Sequence, residues 1–502
     1  MSDNNRLAIQ LERVAYFVNL SLPMLTAIIF ILFFKTSNKA YLFLTLIVGF
    51  LFLFNLYLTK IQRKHALLRN FGLLAYLRYL LESVGPEFRQ YLYSSDIEEK
   101  PFNRIERSEV YQKSKGVDST SSFGSQELYH KNDVKIRHSF YPMKKKNIDA
   151  FSLKFGEANN VQKLYSLKKP IMISAMSYGS LGIHAVRALS RGAKLAGIPI
   201  NTGEGGYPKY HLMEGGDTIF QIGTAKFGVR NDDSSMNFEL LKKLASEDNV
   251  KMIELKLSQG AKPGKGGILP KEKISQEISE LRGVPRGKDV ISPPYHVECI
   301  DAEKTIDFIG QIKKVIDKPL GIKFCLGRVD EFKALVREMK NQDIYPDYIA
   351  IDGAEGGTGA APKSFMDDVG MSIRHSLPLV HKHLIKENIR DRIHLLASGK
   401  LISPGKQILA LALGADAIYS ARGFMLAIGC IQALQCNKNT CPVGITTHDL
   451  SLQNGLDIEV KAQRVANYVK NLDKELYEIL AATGCKSFYD LNESHLYQNL
   501  VN

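Results

Sequence analysis

Three of the six cysteines in this chain stand together in the stretch GCIQALQCNKNTCPVG, at Cys430, Cys436 and Cys441, with five and four residues between them. The other three, Cys299, Cys325 and Cys485, are scattered. Six cysteines in 502 residues are too few and too dispersed for a disulfide framework, so a reducing compartment and a ligand role are expected for the clustered thiols. Thiolates are the usual ligands of iron–sulfur clusters. A cubane takes four, so three at one site point to a cluster lacking one iron corner. The competing, lower-ranked reading is a structural zinc site completed by His448, since three cysteines and a histidine are a known zinc set.

A second group of residues suits a phosphate-bearing cofactor. Turns rich in glycine and small residues follow apolar runs in SAMSYGS (Ala175, Met176, Ser177), IDGAEGGTGAAP (Asp352, Gly356, Gly357), ASGKL (Ser398, Gly399) and SARGF (Ala421, Arg422, Gly423). Backbone N–H groups exposed by glycine ahead of a helix bind phosphate. Two consecutive late turns of this kind match the phosphate site that α/β barrels build after their last two strands. FMN fits such a site, whereas the Gly-x-Gly-x-x-Gly turn of dinucleotide folds is missing. Lys323, inside the apolar run GIKFC, needs an anionic partner. The candidates are the negative N1/O2 edge of a reduced flavin and a core carboxylate. The basic loop KLSQGAKPGKGGILP, Lys256 to Pro270, suits a substrate bearing carboxylate or phosphate.

These turns must be positioned by a repeating strand–helix unit. The runs PIMISAM, IPINTG, KMIELK, DVISPP, PLGIKFC, YIAIDG, IHLLASG and AIYSAR read as strands, and stretches such as EKTIDFIGQIKKVID as amphipathic helices between them. Eight strands in this arrangement predict an α/β fold of the (β/α)8 TIM-barrel type over residues 151–460, with its site at the C-terminal strand ends. An open doubly wound sheet is the alternative. Upstream, Val14–Phe34 and Ala40–Thr59 carry no charge, and each is long enough to cross a hydrocarbon core of about 30 Å. Residues 1–62 are therefore expected to form a two-span transmembrane hairpin in the lipid bilayer. Lys60, Arg63, Lys64 and Arg69 after the second span place the catalytic body in the cytoplasm. Residues 63–150 read as a helical arm packing on the barrel, and 461–502 as a C-terminal helical extension. The net charge of +14 points to anionic surfaces or acidic partners, and no nucleic-acid-binding signature accompanies it.

Taken in order, NTGEGG (Asn201 to Gly206), QGAKPGKGG (Gln259 to Gly267), EGGTGAAP (Glu355 to Pro362) and GCIQALQCNKNTCPVG resemble the FMN-binding synthase domain of glutamate synthase. They resemble more closely the stand-alone members of that family that begin with membrane spans, and the match covers roughly residues 66–460. The resemblance implies FMN, with Asn201 added to its binding residues, and a 3Fe-4S cluster on Cys430, Cys436 and Cys441. It further implies hydride transfer from reduced FMN to 2-iminoglutarate, formed from 2-oxoglutarate and ammonia. Carried over by position, the oxo-acid site is Lys256, Gln259, Lys262 and Arg282, with Glu204 retained beside it. Ile268 stands where the large enzymes have glutamine, GEGGED reads GEGGYP, and PPHHD reads PPYHVE around His296. With neither a glutaminase nor an NADPH-binding domain read from these residues, ammonia is expected from solution or a partner. Electrons are expected from a ferredoxin-like or other donor. The expected function is a membrane-anchored FMN and iron–sulfur oxidoreductase acting on a 2-oxo acid or amino acid. The alternative is a membrane-tethered flavin/iron–sulfur electron-transfer protein.

Overall fold

A computed structural model describes residues 3–118, 120–125 and 133–498. The chain divides into two compact units, Met1–Arg104 and Ile105–Asn502. The first begins with two antiparallel helices, α1 (Asp3–Thr36) and α2 (Lys39–Leu56), the second capped by the Asn38 side chain. Within them, Phe17–Thr36 and Lys39–Ile61 are long and apolar enough to cross a membrane. Asn55 donates to Asn19 Oδ1 at 2.5 Å across the pair. The Asn55 Oδ1 also accepts from Leu73 N at 2.9 Å, which folds the following segment back. Gly72, at φ 57°, permits that return, because a Cβ there would sit 2.0 Å from the same oxygen. A further helix, α3 (Ala75–Phe88), follows. Its Ala75 joins Leu58 and Leu68 in a small core edged by Phe54, Phe71 and Tyr79.

The second unit is a closed barrel of eight parallel strands. In chain order they are β1 (Ile171–Ile173), β2 (Ile200–Asn201), β3 (Thr218–Ile222), β4 (Val250–Lys256), β5 (Leu320–Phe324), β6 (Tyr348–Asp352), β7 (His394–Ser398) and β8 (Ala417–Ser420). Each strand pairs with the next, and β8 closes on β1 through Ile418 opposite Ile171. Strands covered on both faces read as apolar runs, which is why most were visible in the sequence. One expectation fails. DVISPP lies outside the barrel, where Val290–Ile291 pairs antiparallel with Ile268–Leu269 and Ile291 is 68% exposed. The third strand is instead TIFQI, fully buried although two of its five residues are polar. Thr218 satisfies its hydroxyl on Asn249 O at 2.9 Å, and Gln221 turns into the barrel toward Glu254.

The outer layer includes amphipathic helices such as Ala302–Val315, which buries Ile306, Ile309 and Ile312 and is capped by Asp301. α4 (Arg104–Lys115) precedes the barrel, while α5 (Ile183–Ala196) and the long α6 (Ile458–Thr483) pack together on its outside. Their approach needs Gly192, where a Cβ would lie 2.4 Å from Val465 Cβ. At the N-terminal end of the barrel, Phe155 from the hairpin of Leu153–Phe155 and Tyr165–Leu167 stands edge-on to Tyr348 and His394. The opposite end is left to the glycine-rich turns.

Candidate functional site

Lys256 ends β4 and is 7% exposed, so its ammonium needs a partner. Glu204, on the turn after β2, accepts from its Nζ at 2.7 Å. Burial pushes the Glu204 carboxyl up, but Lys256, Arg282 and Lys262 together hold it below the usual carboxylate range. Gly223 and Gly267 flank the carboxylate so closely that a Cβ on either would fall 2.4 or 2.7 Å from its oxygens. Lys262, 1% exposed, donates to Ala360 O at 2.7 Å and so ties the loop after β4 to the loop after β6. Burial, with Lys256 nearby, brings its ammonium down to about 8. Gln259 is half-buried on the same turn, its carbonyl accepting from Lys262 N at 3.4 Å. Four of the five expected residues therefore converge, and three cations face one carboxylate, a balance that favours an anionic ligand.

Arg282 does more than that expectation assigned to it. It closes the helix Gln276–Arg282, donates from Nε to Gly205 O at 3.2 Å and from Nη2 to Tyr178 O at 2.9 Å, and lies over the Phe227 ring at 5.3 Å. It thus staples NTGEGG to SAMSYGS. Three histidines serve these loops in a similar way. The Nε2 of His211 meets Met176 O at 3.0 Å, that of His296 meets Lys256 O at 2.9 Å, and that of His448 meets Gly179 O at 2.9 Å. Burial lowers all three to about 4, and a carbonyl partner makes Nε2 the protonated nitrogen. His211 had not been singled out in the sequence.

The turns expected to hold a cofactor also come together. Met176 N donates to Asn201 O at 3.3 Å, and Gly203 packs so tightly on Ser177 that a Cβ would lie 2.7 Å from its nitrogen. Ala175 is half-buried on the same turn. Lys323 lies 3.6 Å from Asp352 Oδ2, which also accepts from Gly260 N at 2.9 Å, so the lysine has a carboxylate partner at the strand ends. Gly353 N donates to Ser398 O at 2.8 Å, drawing the ends of β6 and β7 together, and Gly399 follows at φ 152°. Gly356 is half-buried and Gly357 open, with Arg422 lying against it such that a Cβ on Gly357 would come 3.0 Å from Arg422 Cδ. Arg422 donates to Glu355 O, and burial lowers its guanidinium to about 10; Ala421 precedes it, half-buried. An open glycine turn with one guanidinium lying against it fits a phosphate monoester, so the residues present fit FMN. Gly423 is the exception. A Cβ there would meet Ser420 Oγ and Tyr468 Oη at 2.7 Å, so this glycine serves the packing of α6.

Beneath these turns lies a polar knot that the sequence pattern did not disclose. Glu254 on β4 is fully buried and accepts from Asn201 Nδ2 at 2.8 Å, Gln221 Nε2 at 2.7 Å and Tyr419 Oη at 3.1 Å. The Asn201 Oδ1 in turn accepts from Gly203 N at 3.0 Å, so its amide orientation is set from both sides. A glutamate within the run KMIELK was as conspicuous a signal as Lys323.

The cysteine loop is held by α4, where Tyr111 donates to Cys430 O at 2.6 Å and Arg107 to Ile431 O at 3.3 Å. Gln432, Leu434 and Asn439 all take left-handed backbone, and such strain concentrates where a loop wraps a ligand. Burial pushes the Cys430 thiol up to about 11 and raises Cys436 too. Cys441 differs: burial raises it, but the backbone amides of Thr446, Val443 and Ile445 turned toward it bring it below the ordinary thiol value. Lys273, 2% exposed, donates to Ser180 O and, at 3.3 Å, to Cys436 O, placing a cation beside the thiols; burial lowers it to about 8. Among the described residues no three cysteine, histidine, aspartate or glutamate side chains stand close enough to share one metal ion. That goes against the zinc site, as does the engagement of His448 with Gly179. A multi-iron cluster would give each thiolate its own iron. Three free thiols, amides turned toward one of them and an adjacent cation fit such a group.

The conserved region in glutamate synthase matches residues 103–486. Among curated relatives, the glutamate synthase large subunit-like protein YerD of Bacillus subtilis is 39% identical over 87% of this chain and 90% of its own length. The archaeal glutamate synthase (NADPH) of Methanocaldococcus jannaschii is 37% identical over 69% of this chain and 64% of its own. The archaeal-type glutamate synthase (NADPH) of Thermotoga maritima is 36% identical over 65% and 61%. The chain therefore spans less than two thirds of those two synthases.

Proposed function

Because the chain belongs to the glutamate synthase family, we propose that it is an oxidoreductase that reduces the imine of a 2-oxo dicarboxylic acid and ammonia to the amino acid. The observation that carries this reading is the convergence of Lys256, Lys262 and Arg282 on Glu204 at the C-terminal ends of the barrel strands. Charge-assisted bonds from the two lysines would hold the substrate carboxylates, and Arg282 keeps the surrounding loops closed over them. Lys262 Nζ, near 8, can return a proton to the nascent amine at neutral pH. FMN, cradled by Gly356, Gly357, Gly399 and Arg422, supplies the hydride when bound. Cys430, Cys436 and Cys441 would hold a 3Fe-4S cluster, which would supply one-electron access from a ferredoxin-like or other donor. Lys323, paired with Asp352, brings a cation to the strand ends, and Asn201, oriented by Glu254, fixes the turn after β2 through Gly203 N. Ammonia comes from solution or a partner. The apolar helices α1 and α2 anchor the chain in a lipid bilayer, with the barrel on the cytoplasmic side.

The test is made on full-length protein purified anaerobically in detergent and reduced with dithionite. Adding 2-oxoglutarate with ammonium should reoxidise the flavin and release glutamate, and Lys256→Ala should abolish this. A flavin that passes electrons to one-electron acceptors, yet is not reoxidised by any 2-oxo acid with ammonium, would replace this reading with electron transfer.

A further inference from the structure

α3 is amphipathic the wrong way round for a water-soluble surface. Its Ala75 and Tyr79 point toward the helical hairpin. The outward face carries Leu77, Leu80, Leu81, Val84 and Phe88, spaced three and four residues apart so that they form one stripe. Leu77 is 58% exposed, Leu80 and Leu81 57% and Phe88 48%, and Leu92 continues the stripe at 66%. A run of large apolar side chains of this extent needs a partner.

We propose that this stripe rests against lipid at the boundary between headgroups and acyl chains, making α3 an interfacial element of the anchor. The inference rests on the reading of α1 and α2 as membrane spans, and it adds a third, non-spanning contact to them. Depth is the first argument. α3 is fixed to the end of the second span: the Tyr76 ring stacks on Phe54 at 6.3 Å, and Ala75 packs with Leu58. The span runs to Ile61, so these contacts lie three to seven residues inside it, which at 1.5 Å per residue is about 5–10 Å below its end. That is the depth at which amphipathic helices bury their apolar face. Length is the second argument. At 14 residues α3 is about 21 Å long, too short to cross, and its Arg78–Glu82 pair at 2.7 Å keeps one edge polar. Charge is the third, since Lys60 stands at the very end of the span and Arg63, Lys64 and Arg69 lie between it and the helix, where anionic headgroups would meet them.

The chain contains no tryptophan, so a single introduced indole reports its own surroundings. Leu80→Trp and, separately, Leu46→Trp on the exposed face of α2 are made in the full-length chain. Each is reconstituted into vesicles of phosphatidylcholine and phosphatidylglycerol containing lipid brominated near the headgroup end or near the methyl end of its acyl chains. The Leu80→Trp emission should be blue-shifted and lose most of its intensity to the shallow bromines, less to the deep ones, and little to aqueous iodide. Emission quenched by iodide and indifferent to bromine would place the stripe in water and overturn the proposal. Blue-shifted emission protected from both quenchers would mean that protein covers the stripe, which overturns the proposal equally. Leu46→Trp separates the two readings. If it is quenched by bromine while Leu80→Trp is not, only this inference falls; if neither is quenched, the membrane anchor falls with it. Leu77→Trp repeats the measurement one turn earlier and guards against a local fault of one variant.

Discussion

Removing the carboxylate of Glu254 should cost the barrel more than its size suggests, and replacing it with glutamine should cost far less. In the wild type, Asn201 Nδ2, Gln221 Nε2 and Tyr419 Oη all deliver their hydrogens to this one fully buried group. Alanine orphans three donors at once. At about 1–3 kcal/mol for each unsatisfied buried group, the loss is about 3–9 kcal/mol, and a water entering the gap would recover part of it. Whole-domain stability is about 5–15 kcal/mol, so Glu254→Ala should be close to unfolded. Glutamine retains an acceptor for Asn201 and Gln221, and its amide can donate to a rotated Tyr419 hydroxyl, so the expected loss is about 1–3 kcal/mol. The assay is urea unfolding of the full-length protein in detergent, followed by near-ultraviolet circular dichroism, with retained flavin measured alongside. Because Glu254 fixes the Asn201 amide, flavin affinity should fall in the same order. If alanine and glutamine variants unfold at the same urea concentration, the three donors do not depend on the carboxylate and the reasoning is wrong.

Four further outcomes are expected. Glu204 has its folded pKa held below the ordinary 4.5, so its contribution to stability is present above that value and lost as pH falls through the lower, folded one. Lys256→Ala should flatten this acid-range slope in unfolding midpoints taken against pH, and an unchanged slope would remove Lys256 as its cause. Lys323→Met should weaken flavin binding about ten- to a hundredfold, the worth of one charge-assisted contact, whereas unaltered affinity would assign the lysine to its pair with Asp352 alone. Cys436→Ser should lose iron and acid-labile sulfide while keeping flavin. Lys273→Met should keep the cluster but lower its midpoint potential by tens of millivolts, on the scale of about 59 mV per tenfold change for one electron; an unshifted potential in an electron paramagnetic resonance titration would show that the Lys273 charge is not felt by the cluster.

Composition and pattern determined a good deal of this protein. Seven of the eight barrel strands fall inside the apolar runs to within a residue, because a strand covered on both faces is apolar along most of its length. The glycine turns at strand ends, the grouped cysteines and the two uncharged N-terminal runs were equally legible, each being a local property of neighbouring residues. What escaped depends on partners distant in sequence. TIFQI hid because Gln221 satisfies itself on Glu254, 33 residues later, and DVISPP misled because an apolar pair at the surface reads like one in a sheet. Arg282 was legible as a cation near an anion site, but its grip on Gly205 and Tyr178 exists only once the loops after β1 and β2 meet its helix. The same holds for Lys273, drawn by folding to Ser180 and Cys436. Side-chain period and hydrophobicity are set along the chain, whereas the partner that satisfies a buried polar atom is set by barrel closure, which brings together residues tens to hundreds of positions apart.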